Sequence, residues 1–129
     1  MALNNLAAIF GLLRRPREER EAIEEAAELY RQLAEKEPAV YGAEFAMVLM
    51  NMAACLEAND DLVGATEQNR QAIKIYWPYF HAQSPAFVHQ ICKRYVERCE
   101  KLAREPDEAL LAPIAALLQQ MQEGSGDDA

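Results

Sequence analysis

The chain repeats itself at an interval of 46 positions, and this regularity limits its fold more than any other feature. Leu49, Asn51, Met52, Ala53, Ala54 and Leu56 fall on Leu3, Asn5, Leu6, Ala7, Ala8 and Phe10. Further on, Ala72, Ile75 and Tyr76 fall on Ala26, Leu29 and Tyr30. Each copy holds two apolar stripes at helical steps, separated by a polar break: Arg14-Arg15-Pro16 in the first, Asn59-Asp60-Asp61 in the second. A helical hairpin repeated at such a period buries its apolar face by stacking on the next copy, which is the logic of a solenoid.

Taken in order, the pattern predicts three helical hairpins, over about residues 2–37, 43–81 and 86–122. In the first, Leu3, Leu6, Ala7, Phe10 and Leu13 form one stripe. Ala22, Ile23, Ala26, Ala27, Tyr30, Leu33 and Ala34 form the other, with Pro16 in its first turn. The outer face of that second helix is crowded with Glu and Arg and reads as a solvated face, not a binding surface, and pairs such as Glu21–Glu25 and Glu24–Glu28 are expected to repel. Pro38-Ala39-Val40-Tyr41-Gly42 reads as a connector. The helix expected from Ala43 to Ala58 is apolar on nearly every side, as a helix flanked by others should be. Asn59-Asp60-Asp61 supplies turn and N-cap chemistry for a partner lined by Ala65, Asn69, Ala72, Ile73 and Tyr76. Pro78 is expected to end or kink that helix near Trp77. The third unit opens near Ala86, turns at Pro106-Asp107 and carries Pro113 inside its last helix. Residues 123–129 read as a disordered polar tail.

Half of the residues are apolar and a quarter charged, too apolar a mixture for a disordered chain. A formal charge of −8 argues against a nucleic-acid partner, because phosphate neutralisation needs a basic surface. No apolar run is expected to approach the roughly 18 residues of a membrane span, and no basic residue precedes the first apolar run as in a signal peptide. Cys55, Cys92 and Cys99 form an odd set without a CxxC pair, suited to reduced thiols in the cytoplasm. Cys92 and Cys99 cannot join within one helix, since about 10 Å of rise separates them. With His89 they share helical spacing, yet a metal site would need a fourth ligand, so no metal is assigned. No Gly-rich phosphate loop, HExxH or GxSxG is present, and neither a catalytic role nor a cofactor is assigned.

Asn5-Leu6-Ala7-Ala8-Ile9-Phe10 and Asn51-Met52-Ala53-Ala54-Cys55-Leu56, with Ala26, Leu29, Tyr30 and Ala72, Ile75, Tyr76 behind them, resemble the tetratricopeptide repeat (TPR) family in its long-repeat variety. The resemblance covers about residues 2–122 and weakens in the third unit, where Glu97-Arg98 stands in place of Asn-Leu. It implies an all-α fold, a right-handed superhelical stack of about three hairpins. Small residues such as Ala7, Ala53 and Cys99 would let paired helices approach, and Phe10, Leu56 and Leu102 would fill the space between hairpins.

The function implied is that of a non-enzymatic adaptor, a scaffold that holds a protein or peptide in the concave surface lined by the first helix of each hairpin. The alternative is a small TPR chaperone for a secreted or assembled client, although those resemble shorter repeats. Asn5 and Asn51 stand where long-repeat relatives hydrogen-bond a bound peptide's main chain, which an amide suits as donor and acceptor. A capping or inter-helix bond is the other reading of these two. Met47, Met50, Lys93, Glu97 and Glu100 are expected around the same groove. Asn51 and Lys93 match two positions of a carboxylate clamp, but Glu97 replaces the basic group a clamp needs. Trp77, Tyr79 and Phe80 either fold back beneath the third hairpin or form an interface, and self-association into a homodimer would use them or the apolar terminal faces.

Overall fold

Prolines mark where three of the helices begin. The computed structural model describes residues 16–80 and 82–127 and places five α-helices among them: α1 (Pro16–Lys36), α2 (Pro38–Ala58), α3 (Leu62–Phe80), α4 (Pro85–Lys101) and α5 (Glu108–Asp127). The described fold is all-α. The stripe expected over residues 2–13, with Asn5, lies outside the described residues. Pro16, Pro38 and Pro85 each open a helix, where the N–H that proline lacks would have been left unpaired anyway.

This corrects the connector expected over Pro38–Gly42. Glu37 alone separates α1 from α2, and its carbonyl accepts from the N–H groups of Val40 and Tyr41, both at 3.1 Å. The proline ends one helix and at once begins the next.

α2 is the apolar centre. Phe45, Ala46, Val48, Leu49, Ala53, Cys55 and Leu56 are buried along it, and α1 and α3 pack against it most densely of all helix pairs. Its mean hydropathy over 18 residues is 1.5, long and apolar enough to cross a membrane by length and composition. This stretch therefore comes nearer to a span than the sequence reading allowed, because Glu44 and Asn51 interrupt the apolar run yet leave the mean of the window high. Within this fold, 44% of that window is buried between neighbouring helices, the setting of a core helix.

The repeat is visible in what the flanking helices bury. Ala26 of α1 and its counterpart Ala72 of α3 are fully enclosed, and Tyr30 and Tyr76 are 2% and 5% exposed. Ala65, Asn69 and Ile73 of α3 are completely buried, as their spacing predicts. Asp61 caps α3, its Oδ1 accepting from the Gly64 N–H at 2.9 Å. Before it Asp60 takes φ 65°, and the Asp61 N–H returns to the Leu56 carbonyl at 2.8 Å, closing the end of α2. The end of α4 copies this with Ala103 at φ 53° and an Arg104 N–H to Cys99 carbonyl bond of 2.9 Å.

α3 does not stop at Trp77. It runs through Pro78 to Phe80: the proline forfeits its own backbone hydrogen bond, and the extension offsets this by burying Phe80. The Phe80 ring settles over Gly42, where an added Cβ would come within 2.9 Å of its Cε2. Tyr76 meets Phe80 at 5.3 Å and Phe87 of α4 edge-on at 4.7 Å, carrying the aromatic packing into the third unit. Similarly Pro113 lies inside α5 without ending it, and helical backbone continues through residues 123–127, where a disordered tail was expected.

α4 is joined to the rest partly through polar groups. The buried Arg98 guanidinium donates through Nη1 to Asn69 Oδ1 at 2.7 Å and through Nη2 to Glu57 Oε2 at 3.3 Å. Asn69 Nδ2 in turn donates to the Ile91 carbonyl at 3.0 Å, and Lys101 Nζ reaches Glu57 Oε1 at 3.1 Å. Asp107 fastens α5 in the same manner: its N–H donates to the Tyr95 hydroxyl at 2.9 Å, its Oδ2 accepts from Arg70, and its Oδ1 caps the Leu110 N–H.

The hydrogen bond from Lys101, aided by the nearby Arg98 charge and opposed by burial, holds the Glu57 carboxyl below its usual range. A carboxylate with a depressed folded value stabilises above its unfolded pKa of about 4.3 and loses that contribution as pH falls through the folded value. Glu57→Gln should therefore cost roughly 1–3 kcal/mol at pH 7. In urea unfolding, the gap between variant and wild type should close as the pH drops below about 4.

Candidate functional site

Three helices enclose a deep cleft. Glu24, Ala27, Glu28, Arg31, Ala34 and Glu35 of α1 form one wall, and Gln68, Gln71, Lys74, Ile75 and Tyr79 of α3 form the other. Pro38, Gly42, Phe45, Leu49 and Met52 of α2 make the floor, and the volume is about 730 Å³. Each set recurs at helical steps, so each helix contributes one continuous face. Ala27 and Ala34 leave the room on the α1 side. Their side chains are the smallest available, and larger ones there would bring the walls together.

The rim is charged and paired. Arg20 Nε bonds Glu24 at 2.9 Å, Arg31 bridges Glu28 and Glu35, and Arg17 reaches Glu21. The repulsion expected along α1 is thus relieved by arginines interleaved at steps of three and four. The hydrogen bond from Arg31, then that from Gln32, draws the Glu28 carboxyl below its ordinary value. At one end of the cleft Tyr79 is 55% exposed, its ring 6.1 Å from Phe80.

The residues expected to line a groove are divided by the fold. Met47 and Asn51 are exposed on α2, about 180° around the helix from the cleft floor, and line neither cleft described here. Met50 is half-buried and packs against the core. Lys93, Glu97 and Glu100 come together on α4, beside a second cleft of about 430 Å³ between α4 and α5. His89, Cys92 and Val96 share it with Leu111, Ile114 and Leu118. The aromatic trio also separates: Phe80 joins the core, Trp77 is half-buried, and only Tyr79 reaches the larger cleft.

The thiols stand in apolar surroundings. Burial pushes the Cys92 thiol up to about 11 and raises that of Cys55 as well. Among the described residues no group of three His, Cys, Asp or Glu stands close enough to hold a metal ion. Sequence reasoning missed the walls of the larger cleft. Glu24, Glu28 and Glu35 read as an ordinary solvated face, and only the packing of α3 across α2 turns them into a rim. No family model, no curated protein and no solved structure matches this chain.

At pH 8.5 the Cys92 thiolate fraction should be well under 1%, against about half for a free cysteine. Iodoacetamide should accordingly label it about 100-fold more slowly than glutathione, followed by peptide mass spectrometry.

Proposed function

We propose that this chain is a non-enzymatic interaction module, a TPR-like adaptor that holds a protein partner in the cleft between α1, α2 and α3. The observation that carries this reading is the cleft itself: an apolar floor of Phe45, Leu49 and Met52 between charged walls, running along three helices. Deep apolar grooves with polar rims are the surfaces on which proteins seat a partner's side chains. Tyr79 at its end supplies the kind of exposed aromatic that anchors such contacts. The 46-residue repeat and the matched burial of Ala26 with Ala72 and Tyr30 with Tyr76 support a stacked-hairpin architecture of the TPR kind.

The face of α2 bearing Met47 and Asn51 points the other way and is the alternative seat. Affinity capture with the full chain, the cleft-blocking Ala34→Arg and the face variant Asn51→Ala tells them apart. Ala34→Arg should lose at least about tenfold of the partner recovered by the wild type, and Asn51→Ala should lose little. The reverse pattern moves the site to the Asn51 face, and equal recovery by all three overturns both assignments.

A further inference from the structure

We infer that the occupant of the α1–α2–α3 cleft is an amphipathic helix of a protein partner, with an apolar edge and a row of lysine or arginine on the flank that meets α1. This rests on reading that cleft as the docking site.

The shape favours a helix over an extended segment. The floor spans Pro38 to Met52 along α2, about 21 Å, and the walls extend about 17 Å, so three to four turns of helix fit between them. An extended peptide needs main-chain partners along its whole length, and the walls offer only side chains such as the Gln68 and Gln71 amides on one side, because the backbone groups of α1 and α3 are used within their own helices. A helix arrives with its own backbone satisfied and needs only side-chain pockets at steps of three, four and seven. The short side chain of Ala34 provides that depth beside α1.

Charge gives the flank. The α1 wall presents Glu24, Glu28 and Glu35 against the single guanidinium of Arg31, whereas the α3 wall presents Gln68, Gln71 and Lys74 and no carboxylate. The ion pairs already on the α1 rim, including that of Arg20 with Glu24, are about half exposed. Such pairs are worth little and exchange readily for an incoming cation. A helix with basic residues towards α1 and neutral polar ones towards α3 therefore fits in one orientation only. The overall charge of −8 draws it in.

The test uses the full chain and fluorescence anisotropy with three labelled peptides of about 14 residues. One has a leucine stripe flanked by lysines, the second has glutamates in place of those lysines, and the third is a scramble of the first. The basic peptide should bind about tenfold more tightly than the other two, as expected from three exposed pairs acting together, and should weaken with added salt. Ala34→Arg should reduce its binding about tenfold or more, and Glu24→Gln/Glu28→Gln/Glu35→Gln should shrink its advantage over the acidic peptide. Circular dichroism establishes that each variant is folded. If the acidic peptide binds as well as the basic one and Ala34→Arg blocks both, the charge assignment is overturned and the cleft stands. If no peptide binds, or Ala34→Arg leaves binding unchanged, the cleft reading falls with it.

Discussion

A helix that is apolar on nearly every side has to be covered from more than one direction. α2 is such a helix, and the arrangement of its neighbours follows from covering it. α1 precedes it across the single residue Glu37 and lies on one flank, while α3 follows the short turn Asn59–Asp61 and lies on the other. Two helices cannot wrap a third completely. The α2 face between them, with Phe45 and Leu49 themselves largely buried, becomes the cleft floor, and the inward edges of α1 and α3 become its walls. The same geometric limit leaves Met47 and Asn51 exposed on the far side.

The third unit is attached on different terms. Where α1 and α3 meet α2 through apolar side chains, α4 relies partly on the chain of groups Glu57, Arg98, Asn69 and the Ile91 carbonyl. The bonds are directional, so they determine where α4 sits as well as how firmly. A buried guanidinium whose partners were lost would be costly, and this makes the register of α4 on α2 and α3 specific. Asp107 repeats the device for α5, meeting Tyr95, Arg70 and the Leu110 N–H at once.

Local chemistry was readable from the chain: the Asp61 cap, the proline at the start of α1, and the paired burial of Ala26 with Ala72 all follow from residue type and spacing. Features that depend on distant partners were not. Pro38 looked like a connector because a proline stops the helix before it, and nothing in the residues nearby shows that the next helix starts on the proline itself. Pro78 looked like a terminus because the gain from burying Phe80 on Gly42 lies 38 positions back along the chain. Arg98 looked like a departure from the repeat, since only the fold brings Asn69 and Glu57 to it. The candidate site was legible only in fragments. Tyr79 was singled out, while Glu24, Glu28 and Glu35 were indistinguishable from solvated glutamates until a second wall stood opposite.

The polar joint at Arg98 also sets a boundary of cooperativity. Apolar burial ties α1, α2 and α3 into one block, and the contacts thin steadily towards α4 and then α5. Segments of a protein open separately where the contacts joining them are fewest. The chain is thus graded along its length: α5, joined to α4 by the fewest contacts, opens first, and α4 next, which exposes Asn69 and Arg98 to water while leaving the cleft in the firm N-terminal block intact. A partner seated between α1 and α3 would be held by the firm block, and α5 and then α4 could loosen and close again without releasing it.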